Sequence, residues 1–109
     1  FINNAGFGVQ LSMPQWATAT SKISDIHIHD NLISGNQAGG VGVVYVSKDQ
    51  DPQSDVNIYN NRIFDSGRSF AAYLSPKTAG NKITNNTIRH GKIVDQGKGN
   101  ITTPNTITP

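Results

Sequence analysis

Four asparagines constrain this chain more than any other feature. Asn31, Asn61, Asn86 and Asn105 are each followed two residues later by isoleucine, at Ile33, Ile63, Ile88 and Ile107. The first three are also preceded by isoleucine at a fixed distance, giving I-x-x-N-x-I at Ile28, Ile58 and Ile83. The intervals between successive asparagines are 30, 25 and 19 residues. A unit that recurs with variable length is the signature of stacked repeats whose insertions fall in loops.

The repeats are visible around these anchors. "SDIHIHDNLISGN" (24–36) has a sibling in "SDVNIYNNRIFDS" (54–66). A third copy, "NKITNNTIRHG" (81–91), keeps the second half, and "TTPNTIT" (102–108) keeps Asn105 and Ile107. "FINNAGFGVQLS" at the start matches the second half of "LISGNQAGGVGVVYVS". Apolar residues alternate within each unit, as at Ile26 and Ile28 or Val56 and Ile58, which is the period of a strand. Composition agrees. Hydrophobic residues make up 35% and charged residues 15%, so the polarity comes from Asn, Gly, Ser and Thr, and the net charge is only +2. That balance suits a turn-rich all-β chain better than a helical or disordered one. It gives no argument for a nucleic-acid or membrane-surface partner, and no apolar run is long enough to span a bilayer. The absence of cysteine excludes a disulfide scaffold and a thiolate metal site.

The I-x-x-N-x-I repeat resembles the right-handed parallel β-helix of the pectin-lyase-like superfamily over nearly the whole chain. The resemblance implies a single-stranded solenoid of about four coils, with like positions about 4.8 Å apart on successive coils. Asn31, Asn61, Asn86 and Asn105 would form an internal ladder of hydrogen-bonded side chains. Asn also tolerates the left-handed backbone of a sharp bend, so the bends are expected at these residues. The family implies an extracellular or cell-surface polysaccharide-active protein, a lyase or a glycoside hydrolase. The alternative is a non-catalytic glycan-binding, adhesion, surface-structure or phage-tail module.

The third strand of each coil can be aligned on a terminal serine, in "FGVQLS", "GVVYVS" and "FAAYLS" ending at Ser12, Ser47 and Ser75. This predicts core positions at Val9 and Leu11, Val44 and Val46, and Ala72 and Leu74. It predicts an outward column of Gln10, Tyr45 and Tyr73, flanked by the three serines and by Gly8, Val43 and Ala71. In the resembled family the outer face of this strand carries the substrate groove. Aromatic faces pack against the C–H face of sugar rings. Tyr45, Tyr73, Gln10 and the loop residue Trp16 are therefore the expected polysaccharide contacts. The plainer reading is a tyrosine stack that shields a sheet.

Catalytic candidates are sparse. Glycosidic-bond chemistry needs positioned carboxyls or a base, and the chain has 7 acidic residues. Asp65 and Arg68, in the loop before the Tyr73 strand, are the candidates. Asp49 and Asp51, with Asp55, are candidate calcium ligands, although their loop lacks the glycine and distal glutamate of a helix-loop-helix site. A solvated turn opened by Asp51-Pro52 is the other reading. His27 and His29 would face outward together, as a metal pair or as solvated surface, and three protein ligands are the usual minimum. His90 aligns with Gly35 and Asp65 in a loop. Asn85 and Asn100 begin Asn-x-Thr sequons.

A coil stack presents unpaired strand edges at its ends unless they are covered. Pro104 and Pro109 would blunt one edge, and nothing comparable precedes Phe1. The expectation is a C-terminal or excised piece of a larger β-helix, completed by the remaining coils or by end-to-end packing. The chain alone should then sediment as concentration-dependent oligomers or melt without cooperativity; a cooperatively melting monomer would count against this.

Overall fold

The computed structural model describes residues 2, 6–13, 24–37, 39–45, 55–64, 70–76 and 78–109, with only the backbone at 12, 13, 44 and 45. These residues form eleven strands and no helix. They are β1 (Phe7–Met13), β2 (Ile26–His29), β3 (Leu32–Ser34), β4 (Gly39–Tyr45), β5 (Val56–Tyr59), β6 (Arg62–Phe64), β7 (Ala72–Leu74), β8 (Lys82–Thr84), β9 (Thr87–Arg89), β10 (Ile93–Asp95) and β11 (Thr106–Thr108). Every strand pairing is parallel. Three sheets result, in the orders β1-β4-β7-β10, β2-β5-β8 and β3-β6-β9-β11. From β2 onward the chain visits the second, third and first sheets in rotation, so each round places one strand beside its counterpart in the round before. A parallel bridge between Lys82 and Ile101 continues the second sheet by one further position.

The core is made of columns. Ile33, Ile63 and Ile88 are in register and fully buried, as are Ile58 and Ile83 beneath Ile28. Val41 lies in register with Ala72, and Val43 with Leu74. Alternation is clear in β5, where Val56 and Ile58 are buried while Asn57 and Tyr59 are half-buried. Each buried isoleucine stabilises by about 1.5–3 kcal/mol relative to exposure, so the short strands are held mainly by this stack. Ile107 extends the Ile33 column at the end of its sheet and is 52% exposed.

The corner before the third sheet carries the asparagine ladder. The Oδ1 of Asn61 accepts from the backbone N–H and the Nδ2 of Asn31, both at 3.1 Å. Asn86 does the same for Asn61, at 2.9 and 3.0 Å, and Asn105 for Asn86, at 2.9 and 3.0 Å. The second proton of each amide reaches back to a carbonyl: Asn61 to Ile28, Asn86 to Ile58 and Asn105 to Ile83. The bends themselves fall one residue earlier than expected. Asp30, Asn60 and Asn85 take the left-handed conformation, with φ of 57°, 56° and 57°. The residue that turns the chain is thus separate from the one that aims its N–H along the stack.

The same device recurs at the corner before the second sheet. Asn100 Oδ1 accepts from the N–H and Nδ2 of Asn81, and Asn81 Oδ1 accepts from the Val56 N–H at 3.2 Å. Here glycines precede the asparagines in the left-handed region, Gly80 at 78° and Gly99 at 72°. At the third corner the left-handed residues are Gly35 and His90, with φ of 67° and 55°, so His90 turns the chain there.

The first sheet differs from the serine-based alignment. Val9 pairs with Val41, Leu11 with Val43 and Met13 with Tyr45. The core positions of β4 are therefore Val41 and Val43, three residues before the expected Val44 and Val46. Side chains alternate with period two, so an odd shift exchanges the faces. Close approach explains the true register. A Cβ on Gly40 would collide with the Ala71 carbonyl oxygen and lie 2.6 Å from Cγ2 of Ile63. Gly8 and Ala71 occupy the flanking positions, so small residues fall together there.

If the ladder fixes register, Asn86→Ala should destabilise the chain strongly. It strands the Asn61 N–H and the Ile58 carbonyl, and each buried unsatisfied group costs about 1–3 kcal/mol. Denaturant titration is expected to give a loss of about 2–4 kcal/mol, against less than about 0.5 kcal/mol for the outward Asn57→Ala. Equal, small losses would refute a register-setting ladder.

Candidate functional site

The outer face of the first sheet has a different composition from the one expected. Gln10, Gly42, Tyr73 and Val94 form one row across its four strands. Gln10 and Tyr73 do share this row, with Gly42 between them. Tyr45 does not: its backbone pairs with Met13, three residues further along β4, and its side chain is outside the described residues. The proposed Gln10–Tyr45–Tyr73 column is thus replaced by Gln10–Gly42–Tyr73. Trp16, Asp49, Asp51, Asp65 and Arg68 also lie outside the described residues.

Aromatic partners come from phenylalanines instead. The ring of Phe70 stacks on Tyr73 with centroids 4.9 Å apart and planes at 29°. The Tyr73 hydroxyl donates to Oε1 of Gln96 at 2.9 Å. Phe7 lies over the glycine of the row, because a Cβ built on Gly42 would stand 3.1 Å from its Cε1 and Cζ. Phe7, Phe70 and Tyr73 are all half-buried and Gln10 is exposed. The face is therefore an interrupted aromatic strip edged by two amides. Its signal was present in the sequence: "FGVQL", "GGVGV" and "FAAYL" align directly when small residues, rather than serines, are superposed.

Comparison with protein-family models, with curated proteins and with solved structures found no match to this chain.

The described carboxylates are all engaged close to home. Asp25 Oδ1 lies 3.2 Å from Nε2 of His27, and Asp30 Oδ2 lies 2.7 Å from Nδ1 of His29. Asp55 accepts from Asn57, and Asp95 accepts from the Gly97 N–H and from Asn100 Nδ2. These contacts fasten corners. None of them pairs two carboxyls across a cleft in the manner of acid–base chemistry.

His27 and His29 do project together from β2, both exposed. The next round supplies an aromatic residue rather than a ligand. Tyr59 stacks on His29 at 5.0 Å with planes 5° apart, and meets His27 edge-on at 6.0 Å. Among the described residues, no group of three or more His, Cys, Asp or Glu side chains is placed to hold a metal ion. The two histidines and Tyr59 form a surface ladder across the second sheet, held at its edges by Asp25 and Asp30.

The seating of Phe7 over Gly42 is open to test. Gly42→Ala should displace the Phe7 ring while leaving strand register intact, at a cost of about 1–2 kcal/mol. Aromatic proton shifts of Phe7 are expected to move, with contacts between Val41 and Ala72 preserved. Unmoved Phe7 signals would show that the ring does not rest there.

Proposed function

We propose that this chain is a segment of a right-handed parallel β-helix in an extracellular polysaccharide-active protein, and that its first sheet binds glycan along the outer face. The carrying observation is the Phe70–Tyr73 stack, with Phe7 laid over Gly42 in the adjacent strand. Aromatic faces suit the C–H faces of sugars, and amide and phenol groups suit hydroxyls. Tyr73 donates its own proton to Gln96, and its oxygen retains capacity to accept one from a sugar. The preference of parallel crossovers for the right hand supports that handedness.

Within this reading the described segment contributes binding rather than bond cleavage. What supports this is that its four carboxylates are all engaged at corners and bends. The catalytic candidates remain Asp65 and Arg68, with calcium at Asp49 and Asp51 as the candidate cofactor site. The non-catalytic adhesion or tail module uses the same surface without them.

The test is a panel of neutral and acidic polysaccharides, followed for binding, for unsaturated products and for new reducing ends, with and without calcium. Tyr73→Ala and Phe70→Ala should each weaken binding on the order of tenfold, with unchanged circular dichroism. His27→Ala, on another sheet, should not. Wild-type affinity in a folded Tyr73→Ala variant would exclude this face. Unsaturated products would indicate a lyase, reducing ends alone a hydrolase, and binding without products the adhesion module.

A further inference from the structure

The third sheet carries a separate cluster on its outer face. Arg62 and Phe64 are two residues apart on β6 and so share a face. Opposite Phe64 on β9 stands Arg89. Both guanidinium groups lie against the one ring, with Cζ of Arg62 5.4 Å and Cζ of Arg89 4.9 Å from its centroid. The two arginines are diagonal neighbours on adjacent strands, within reach of each other for long side chains. Thr87 fills the remaining corner of the square, opposite Arg62.

This arrangement concentrates positive charge, and among the described residues no carboxylate is paired with either arginine. Among the described residues, the carboxylates in contact with a basic side chain are Asp25 and Asp30, against His27 and His29 on the second sheet. The outward positions of the third sheet are Leu32 and Ser34, Arg62 and Phe64, Thr87 and Arg89, and Thr106 and Thr108. None of them is acidic. Like charges placed as sheet neighbours repel, and the ring face offsets only part of that repulsion. Packing against the ring holds two guanidinium groups in place, and Arg62 and Arg89 are both exposed. Guanidinium forks match the planar oxygens of carboxylates and the oxygens of sulfate, and they bind them bidentately.

We infer that Arg62 and Arg89, gathered on Phe64, form a binding site for the anionic substituents of a glycan. These are the carboxylate of a uronic acid or a sulfate ester, with the Thr87 hydroxyl beside them. The identity of the carrier as a glycan rests on the reading of the first sheet; the anion site itself does not.

Two separate readouts keep the inferences apart. The Nε–Hε signals of Arg62 and Arg89 would be followed by nitrogen-resolved NMR while the whole chain is titrated with sodium galacturonate, sodium sulfate or glucose. Saturable shifts of both arginines with galacturonate or sulfate, and none with glucose, are expected. Whichever anion saturates first names the substituent. R62Q should weaken the response at Arg89 at least tenfold, and R62K should not restore it. Tyr73→Ala should leave these shifts unchanged even where neutral-glycan binding is lost. The site would be overturned by linear, non-saturating shifts with both anions, or by a response at Arg89 that persists unaltered in R62Q.

Discussion

The bond from each ladder asparagine to the next is the interaction on which the rest of the structure depends. It joins residues 19 to 30 positions apart in sequence, and it uses the side-chain oxygen together with both kinds of N–H. A parallel sheet of three-residue strands has little else to define register, because a slip by one residue exchanges the core face for the solvent face. The buried Oδ1 of Asn86 tolerates no such slip. Moving it would strand two donors of the previous round, and buried unpaired groups are expensive. The isoleucine columns supply most of the stabilisation, and the amides determine which isoleucines meet.

Once register is fixed, the outward residues are sorted onto three faces of different chemistry. The second sheet presents a histidine–tyrosine ladder with carboxylates at its edges. The third presents two arginines on a phenylalanine among hydroxyls. The first presents an aromatic strip with amides. Each face is assembled from residues one round apart, so none exists as a contiguous motif. The binding readings of the first and third sheets differ in what they ask of a ligand: a hydrophobic sugar face for one, a fixed negative charge for the other.

Much of this was legible because an amide ladder demands residue identity, not merely polarity. Asn31, Asn61, Asn86 and Asn105 could be read from spacing alone, and counting back two residues from them brings His29, Tyr59 and Thr84 together. Counting forward three gives Ser34, Phe64, Arg89 and Thr108, so the arginine cluster was within reach of the same arithmetic. The first sheet has no such anchor. Its serines mark strand ends that loop length can move, whereas the constraint was steric, at Gly40 against Ala71 and Ile63. Hence Tyr73 and Gln10 fell in the right row while Tyr45 did not. The second ladder is hard to read from spacing because Asn81 and Asn100 span only two rounds, and the round before them offers the backbone of Val56 instead. The left-handed bends fall on the other member of each pair, since at Asp30-Asn31, Asn60-Asn61 and Asn85-Asn86 both members are of a type that tolerates that conformation.

The ladder also has a sense. In every link the earlier residue donates and the later one accepts, so the bonded chain begins with the amide oxygen of Asn31 and ends with the backbone N–H of Asn105. The two ends of the column are unlike, as the ends of a screw are. Extension of this column, by further rounds or by another copy, is satisfied only when a donor end meets an acceptor end. Two copies related by a two-fold axis would bring like ends together and leave both unbonded. An array built on this column is therefore a vectorial one, in which every unit points the same way.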